Sequence, residues 1–573
     1  MRTRSLFLVL LAAAGAACGH ASTTPPVTPK PTSAVAPIAK EQKAPAVGPE
    51  SIDASLRDAW KAAGVTPAPR ADDATFLRRA YVDIVGTVPT PEATQKFLSD
   101  SAPDKRTKLV DELLASPAYA EHWMNYWDDV LMGRENRGPL VDRMAFRYWL
   151  RARFEANAPW DRMVRDLVAA KGQNSVGGPK PKGPGLAMNP SNGMGGMTAM
   201  NVPMGTTISK EDADELAKVN GAVNWTLRFE QTPQDLAGNA SRVFLGVQIQ
   251  CAQCHDHKTE KWKQDDFRKF AAGFLHSRVD PIEDKDKGAI RRVDLVDLPR
   301  VAPRFAKNAE TAPIAKMTPT ALDGTDVSKG EGTRQALAAW MTTKQNPWFA
   351  KAFVNRMWGH FLGRGFYDPV DDIRPSNPAM MPELLDRIAA DFAAHDFDIK
   401  YLVRTITATE AYQLSATKTE AGNDPENKLW ERFHLVPLGP EELLNALIGV
   451  TGVKRLEQQR MQLVRQYAFL FEVDETDDTP DYSGTVSQAL ALLNGPLTAQ
   501  GAKALPASAL SGILAMSGGD AEKIDALTLR VLARKPTDAE RDKWSAYVKK
   551  SGKKGYEDVL WTMLNSSEFV FNH

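Results

Sequence analysis

Cysteine is almost absent from this chain: its 573 residues include three, Cys18, Cys251 and Cys254. With so few thiols a framework of long-range disulfides is excluded once Cys18 is otherwise used, and helical packing has to hold the fold. Net charge is also missing, since 71 lysines and arginines balance 71 aspartates and glutamates. No overall field therefore draws a polyanion, and no basic run is interleaved with aromatics, so a nucleic-acid partner is not expected. Gly-x-Ser-x-Gly, His-Glu-x-x-His and phosphate-cradling glycine loops are absent as well, which leaves hydrolase and kinase readings without a motif.

The first residues read as a targeting segment. Arg2 and Arg4 supply positive charge, and Ser5 to Ala17 is an apolar or small run, too short for a permanent membrane span. Gly15-Ala16-Ala17-Cys18 resembles a lipoprotein cleavage box, so residues 1–18 are expected to be a signal peptide whose removal leaves an acylated Cys18. Residues 19–50, rich in proline, alanine and threonine, are expected to form a disordered tether. The expected place is outside the cytoplasm, periplasmic or attached to the outer membrane, with the lipid anchor as the only membrane contact.

Nearly half of the chain is hydrophobic, and its periodicity is helical. Asp72 caps a helix to Val85, Thr90-Pro91 opens a second, Asp104 a third, and Pro117 a fourth to Met132 in which Trp123 and Trp127 share a face. Helices are also expected over Glu211 to Trp225, Pro233 to Val247, Pro347 to Leu362 behind an Asn346 cap, Pro382 to His395, and Tyr556 to Leu564. Residues 292–298 alternate as a strand. The expected class is mainly α: a helical domain over 51–277, an irregular connection with a little β over 278–330, and a second helical domain over 331–573. Residues 172–209, rich in glycine, proline and methionine (Met188, Met194, Met197, Met200, Met204), read as a disordered insertion whose thioethers could take copper(I).

The most specific chemistry lies at Cys251-Ala252-Gln253-Cys254-His255. Two cysteines three apart, followed at once by histidine, have the spacing that attaches a c-type haem: each thiol adds to a vinyl group and His255 becomes an axial ligand. Cys251, Cys254, His255 and His257 could instead hold zinc or iron, or the two thiols could form a structural or redox disulfide. His276, Met317, the methionine-rich insertion and His573 are candidates for a second axial ligand. A further cluster, Asn355, Arg356, His360, Asp368, Asp371 and Asp372, offers three carboxylates within five residues that could bind calcium or line a sugar site, or simply form caps and surface ion pairs.

Several segments together resemble a known pair of domains. Phe76-Leu77-Arg78-Arg79-Ala80-Tyr81-Val82-Asp83, Gly86-Thr87-Val88-Pro89-Thr90 and Arg242 to Val247 leading into Cys251 to His257 resemble the planctomycete cytochrome-like domain of unknown function. Val354 to Trp358, Gly363-Arg364-Gly365, Pro382 to Asp386, Ala411 to Ser415 and Leu564 to Phe569 resemble the domain of unknown function that habitually follows it. The resemblance implies an exported bacterial protein, often encoded near secreted sulfatase-like proteins and linked to polysaccharide use. The expected function is thus a monohaem cytochrome-like protein serving an unknown redox partner or a sulfatase-like protein. The alternative is a non-haem binding or assembly protein.

Overall fold

The computed structural model describes residues 47–133, 140–177, 214–282, 290–329, 332–417, 424, 426–453, 493 and 495–573. The signal segment, nearly all of the tether, Cys18 and the five clustered methionines lie outside the described residues. The tether ends earlier than its composition suggests: Val47 is buried with its N–H on the Asp391 carboxylate at 3.0 Å, and Pro49 opens helix α1 (Pro49–Ala63). Proline at the first helical position and Ile52, Leu56 and Trp60 on one stripe make residues 47–50 part of the fold.

The mainly helical expectation holds. The next helices are α2 (Asp73–Val85), α3 (Pro91–Ser99), α4 (Lys105–Ala115), α5 (Pro117–Met132), α6 (Arg143–Glu155) and α7 (Trp160–Val168). The Asp72 carboxylate accepts from Thr75 N–H at 2.8 Å, and Thr90 Oγ1 accepts from Ala93 N–H at 3.2 Å, as their N-cap positions require. The chain then enters strand β1 (Gly172–Gln173), which pairs antiparallel with β3 (Val293–Asp297), itself paired with β2 (Ser277–Pro281). Residues 172–177 are therefore ordered rather than the start of a disordered insertion: Asn174 is fully buried, with its amide on Leu140 and Arg291 carbonyls. The helix expected over Glu211 to Trp225 is broken at Asn220, whose N–H goes to Gln173 O and whose amide goes to Lys171 O. Helix α8 (Val223–Arg228) follows, then α9 (Pro233–Leu245) and α10 (Gln264–Ala272).

Past the sheet lie α11 (Pro303–Lys307), α12 (Thr333–Met341), α13 (Phe349–Leu362), α14 (Pro382–Ala394), α15 (Ile399–Ala408), α16 (Glu410–Gln413) and α17 (Pro440–Thr451). Asn346 does cap, but its Oδ1 accepts from Trp348 and Phe349 N–H, so α13 starts two residues beyond Pro347. The last helices are α18 (Pro496–Gly501), α19 (Ala509–Ala515), α20 (Asp520–Leu532), α21 (Asp538–Leu564) and α22 (Ser567–Val570); a two-residue ladder joins β4 (Val436–Pro437) to β5 (Phe571–Asn572). Helix α21 is far longer than the stretch expected from Tyr556 and is bent at Gly552, where φ is +59°. Among the described residues no helix is long and apolar enough to cross a membrane.

One buried cluster runs from Val47 to Phe433 and draws on both helical domains, with Trp127, Trp160 and Phe353 at mutual ring distances of 4.4 to 6.0 Å. A smaller one joins Val82 and Val88 to the helices after Leu438. Between them α2 carries two buried guanidiniums. Arg78 Nη2 donates to Phe569 O at 2.7 Å, and Arg79 donates to the carbonyls of Tyr412 and, at 3.2 Å, His573. One turn on, Asp83 accepts from the Tyr412 hydroxyl at 2.8 Å and from the Asn572 amide at 2.6 Å. The last residues of the chain are thus fastened to its second helix.

Burial pushes the Asp83 carboxyl up to about 8, against the pull of Tyr412, Arg79 and Asn572, with Glu442 adding to the rise. A carboxyl protonated in the folded state and ionised in the unfolded one stabilises most below the ordinary carboxylate range near pH 4, and the contribution is lost as pH rises through its folded value. The neighbouring His122 and His360, held down to about 3 and about 4 by burial, act in the opposite sense. They are common to wild type and Asp83→Asn, so the difference between the two isolates Asp83. Wild type is expected to lose stability relative to Asp83→Asn between about pH 5 and 8 in urea unfolding. A difference that stays flat across that window would mean that Asp83 is ionised in the fold.

Candidate functional site

The Cys-x-x-Cys-His segment sits where α9 ends. Gly246 turns left-handed at φ +66°, and a Cβ there would stand 2.7 Å from Ile373 Cδ1, so the tight exit requires glycine. Ser241 Oγ donates to Val247 O at 2.7 Å and fixes the direction of the leaving chain. Val247 and Ile249 are buried, and a 3₁₀ turn, Gln250–Gln253, follows. Ala252 is fully buried in that turn, whereas Cys251 and Cys254 on either side of it are exposed free thiols.

The segment beyond is held by its own backbone. Gln264, opening α10, donates through its amide to Gln253 O at 3.0 Å and Cys254 O at 2.8 Å, while its N–H binds the Asp256 carboxylate at 2.9 Å. That backbone bond, with Lys263 beside it, holds the Asp256 carboxyl below its ordinary range. His255 Nδ1 lies 2.8 Å from Asp256 O. A carbonyl can only accept, so Nδ1 carries the hydrogen and the lone pair of the neutral ring is on Nε2. His257 is the reverse: its Nδ1 accepts from the N–H groups of Thr259 (3.3 Å) and Glu260 (3.1 Å), so its hydrogen is on Nε2. His257 in this geometry is a turn-former rather than a donor of electrons to a metal. Among the described residues no group of three or more histidine, cysteine, aspartate or glutamate side chains is placed to hold a metal ion.

Thioether attachment needs two accessible thiols on one turn, and axial ligation needs an imidazole lone pair beside them; Cys251, Cys254 and His255 meet those demands. The rim, with Asp256, Lys258, Lys261 and Lys263 exposed, is polar. Of the remaining axial candidates, His276 is half-buried and burial holds its imidazole below the ordinary range, Met317 packs against the main core, and His573 Nδ1 faces Phe571 O beside the buried arginines.

The second cluster divides. His360 leaves it: Nε2 faces Asp83 O at 3.2 Å and the ring packs with His122, Trp123 and Tyr126. Asn355 holds the following loop, its amide donating to Tyr367 and Val370 carbonyls and its Oδ1 accepting from Tyr367 N–H at 2.9 Å. Each carboxylate meets its own guanidinium: Asp368 with Arg364 at 3.4 Å, Asp372 with Arg374 at 3.0 Å, and Asp371 with Arg356 at 3.4 Å and with Arg242. These carboxylates are compensated one by one and form no cage open to calcium. Asp371 and Asp372 are buried, so surface ion pairing does not describe them.

The partner that sequence reasoning missed is Arg242 on α9, one turn before Gly246. Through Arg242 to Asp371, Ile373 N–H to Gly246 O at 2.7 Å, and Ser376 to Glu260, the second domain braces the Cys-x-x-Cys-His segment from both sides. Asp371→Ala would remove the buried carboxylate shared by Arg356 and Arg242, and is expected to destabilise by about 2–4 kcal/mol in urea unfolding. Asp368→Ala, at a more exposed pair, is expected to cost about 1 kcal/mol or less.

Residues 51–279 match PSCyt2, described as a protein of unknown function (DUF1549), and residues 333–479 match PSD1, a protein of unknown function (DUF1553). No curated protein and no solved structure matches the chain. The braced Cys-x-x-Cys-His turn thus lies within the residues that match PSCyt2, and the residues that match PSD1 follow in N-to-C order.

Proposed function

We propose that this chain is an exported, lipid-tethered redox protein in which Cys251 and Cys254 form the two thioethers of a c-type haem and His255 Nε2 is the axial nitrogen. The observation that carries the reading is the His255 tautomer. The Asp256 carbonyl holds the hydrogen on Nδ1, so the outward nitrogen bears a lone pair next to two exposed thiols. Bound there, the haem supplies a one-electron iron couple. The chain's part is to offer the donors in fixed order: Ala252 anchors the turn in the core, Gln264 holds the carbonyls of Gln253 and Cys254, and Asp371 with Ile373 steadies the α9 exit. Cys251 and Cys254 would hold the group through thioethers formed by addition of each S–H to a vinyl double bond, which would need no oxidant.

Because both thiols are exposed, the docking side for an electron-transfer partner is the same side. That partner is an unidentified redox protein or a secreted sulfatase-like protein. Arg2, Arg4 and the run to Cys18 support export and acylation, with periplasmic or outer-membrane attachment through the tether. A second reading, a reversible disulfide between Cys251 and Cys254, is favoured by the same pair of free exposed thiols. Zinc or iron is less favoured because His257 spends its lone pair on backbone N–H groups.

The test is production in a periplasm with cytochrome c maturation machinery, followed by a visible spectrum and a haem stain on a denaturing gel. A covalent haem band that is lost in Cys251→Ser and Cys254→Ser, with a changed axial-ligand spectrum in His255→Ala, is the expected result. A colourless wild-type protein would sink the haem reading, and reductant-dependent thiol labelling of that protein would establish the disulfide.

A further inference from the structure

Helix α7 is strongly two-faced. Trp160, Met163, Val164, Leu167 and Val168 are buried, while Arg162, Arg165, Asp166 and Ala169, spaced i, i+3, i+4 and i+7, share the outer face. That outer face forms the wall of two open clefts, of about 420 and 320 Å³, which adjoin through Arg153, Arg165 and Asp166. Lys171 lines only the first cleft and Arg162 only the second. In a chain with no net charge, the two clefts together are lined by four cations and one carboxylate.

The two arginines at the junction are fixed in place. Arg165 donates through Nε (3.1 Å) and Nη2 (2.8 Å) to Thr342 Oγ1, and Arg153 pairs with Asp166 at 3.0 Å while lying over the Trp149 ring. Arg165 Nη2 also lies 3.6 Å from the Asp161 carboxylate, while Arg153 Nε is buried without an acceptor, so the junction keeps an open guanidinium donor. Arg162 and Lys171 are exposed, and their side chains make no hydrogen bond or ion pair among the described residues. Guanidiniums with restricted rotamers and spare donors suit the planar, forked binding of oxyanions, and they lose less entropy on binding than free surface side chains. The rest of the lining is alanine, Pro159 and the amides of Asn157, Asn220 and Gln335, with no exposed aromatic ring on which a base could stack.

We propose that this double cleft is a binding site for a multivalent oxyanion, a ligand with carboxylate or phosphate groups placed so that one enters each cleft. Arg153 and Arg165 bridge the two groups, Lys171 meets one, and Arg162 meets the other. The site is independent of the Cys-x-x-Cys-His turn and of any haem there.

The experiment is titration calorimetry of the full chain with tripolyphosphate, citrate and acetate at one fixed ionic strength. Tripolyphosphate, citrate or both are expected to bind, acetate is not, and the tighter of the two tells which oxyanion the site prefers. Arg162→Glu combined with Lys171→Glu is expected to weaken binding by about tenfold or more with an unchanged circular-dichroism spectrum, because both side chains are exposed. Lys549→Glu combined with Lys550→Glu, the same charge change at exposed lysines on α21, is expected to leave binding unaltered. The proposal is overturned if no multivalent anion binds, if acetate binds as well as tripolyphosphate, or if the two double variants behave alike.

Discussion

A guanidinium taken out of water must find acceptors, and in this chain several find them on segments far away in sequence. Arg78 and Arg79, side by side on α2, are buried deeply enough that desolvation lowers both to about 10, and they donate to carbonyls of Tyr412, Val531, Phe569 and His573, while Arg78 Nε and Arg79 Nη2 have no acceptor among the described residues. Arg334 is buried against Asp297 in the three-stranded sheet, and Arg147 against Asp128 between α5 and α6. Apolar burial is non-directional and could be met by many packings of these helices. Buried guanidiniums accept few, because one misplaced by a residue keeps the desolvation cost and loses the partner. With no long-range disulfide among the described residues, the contacts of Arg78 and Arg79 with Tyr412, Phe569 and His573 tie first domain to second in one register alongside the shared apolar core.

The same device reaches the candidate site. Arg242 on the way into the Cys-x-x-Cys-His turn meets Asp371 from the second domain, and Ile373 seals Gly246. A turn with two exposed thiols and an exposed imidazole would otherwise be a loose surface loop. Here its entrance is clamped from outside, its middle is anchored by Ala252, and its exit is tied by Gln264 and Asp256. Rigid support under exposed donors allows a small site to be positioned without being enclosed.

Much of this was legible in the sequence where signals are local. Caps at Asp72 and Thr90, prolines at Pro91 and Pro117, and the alternation over 292–298 all specify structure within a few residues, and those elements form. Helix α21 was half missed because its first turns bury only Val548 and part of Trp544 among exposed charged residues such as Lys543 and Lys549, too thin a stripe for a period to reveal. Residues 172–177 were missed because their order comes from pairing with Leu295 and Asp294 more than a hundred positions away. The acidic cluster was read as one unit from proximity in sequence, but helical geometry sends His360 and Arg356 to different neighbours. Arg242 carries no motif; only the sight of Asp371 reveals its role. The cysteines were visible from the start, yet the protonation pattern that distinguishes His255 from His257 depends on backbone groups that no spacing rule describes.

Asn572 sits in β5 with its amide on Asp83, and Arg78 and Phe569 are 491 positions apart. Until that segment docks, α2 carries two guanidiniums short of acceptors and a carboxyl short of donors, and the helices around it cannot complete their packing. Disturbing α22 or β5 would therefore unmake the packing of α2, 491 positions away, rather than only the segment disturbed.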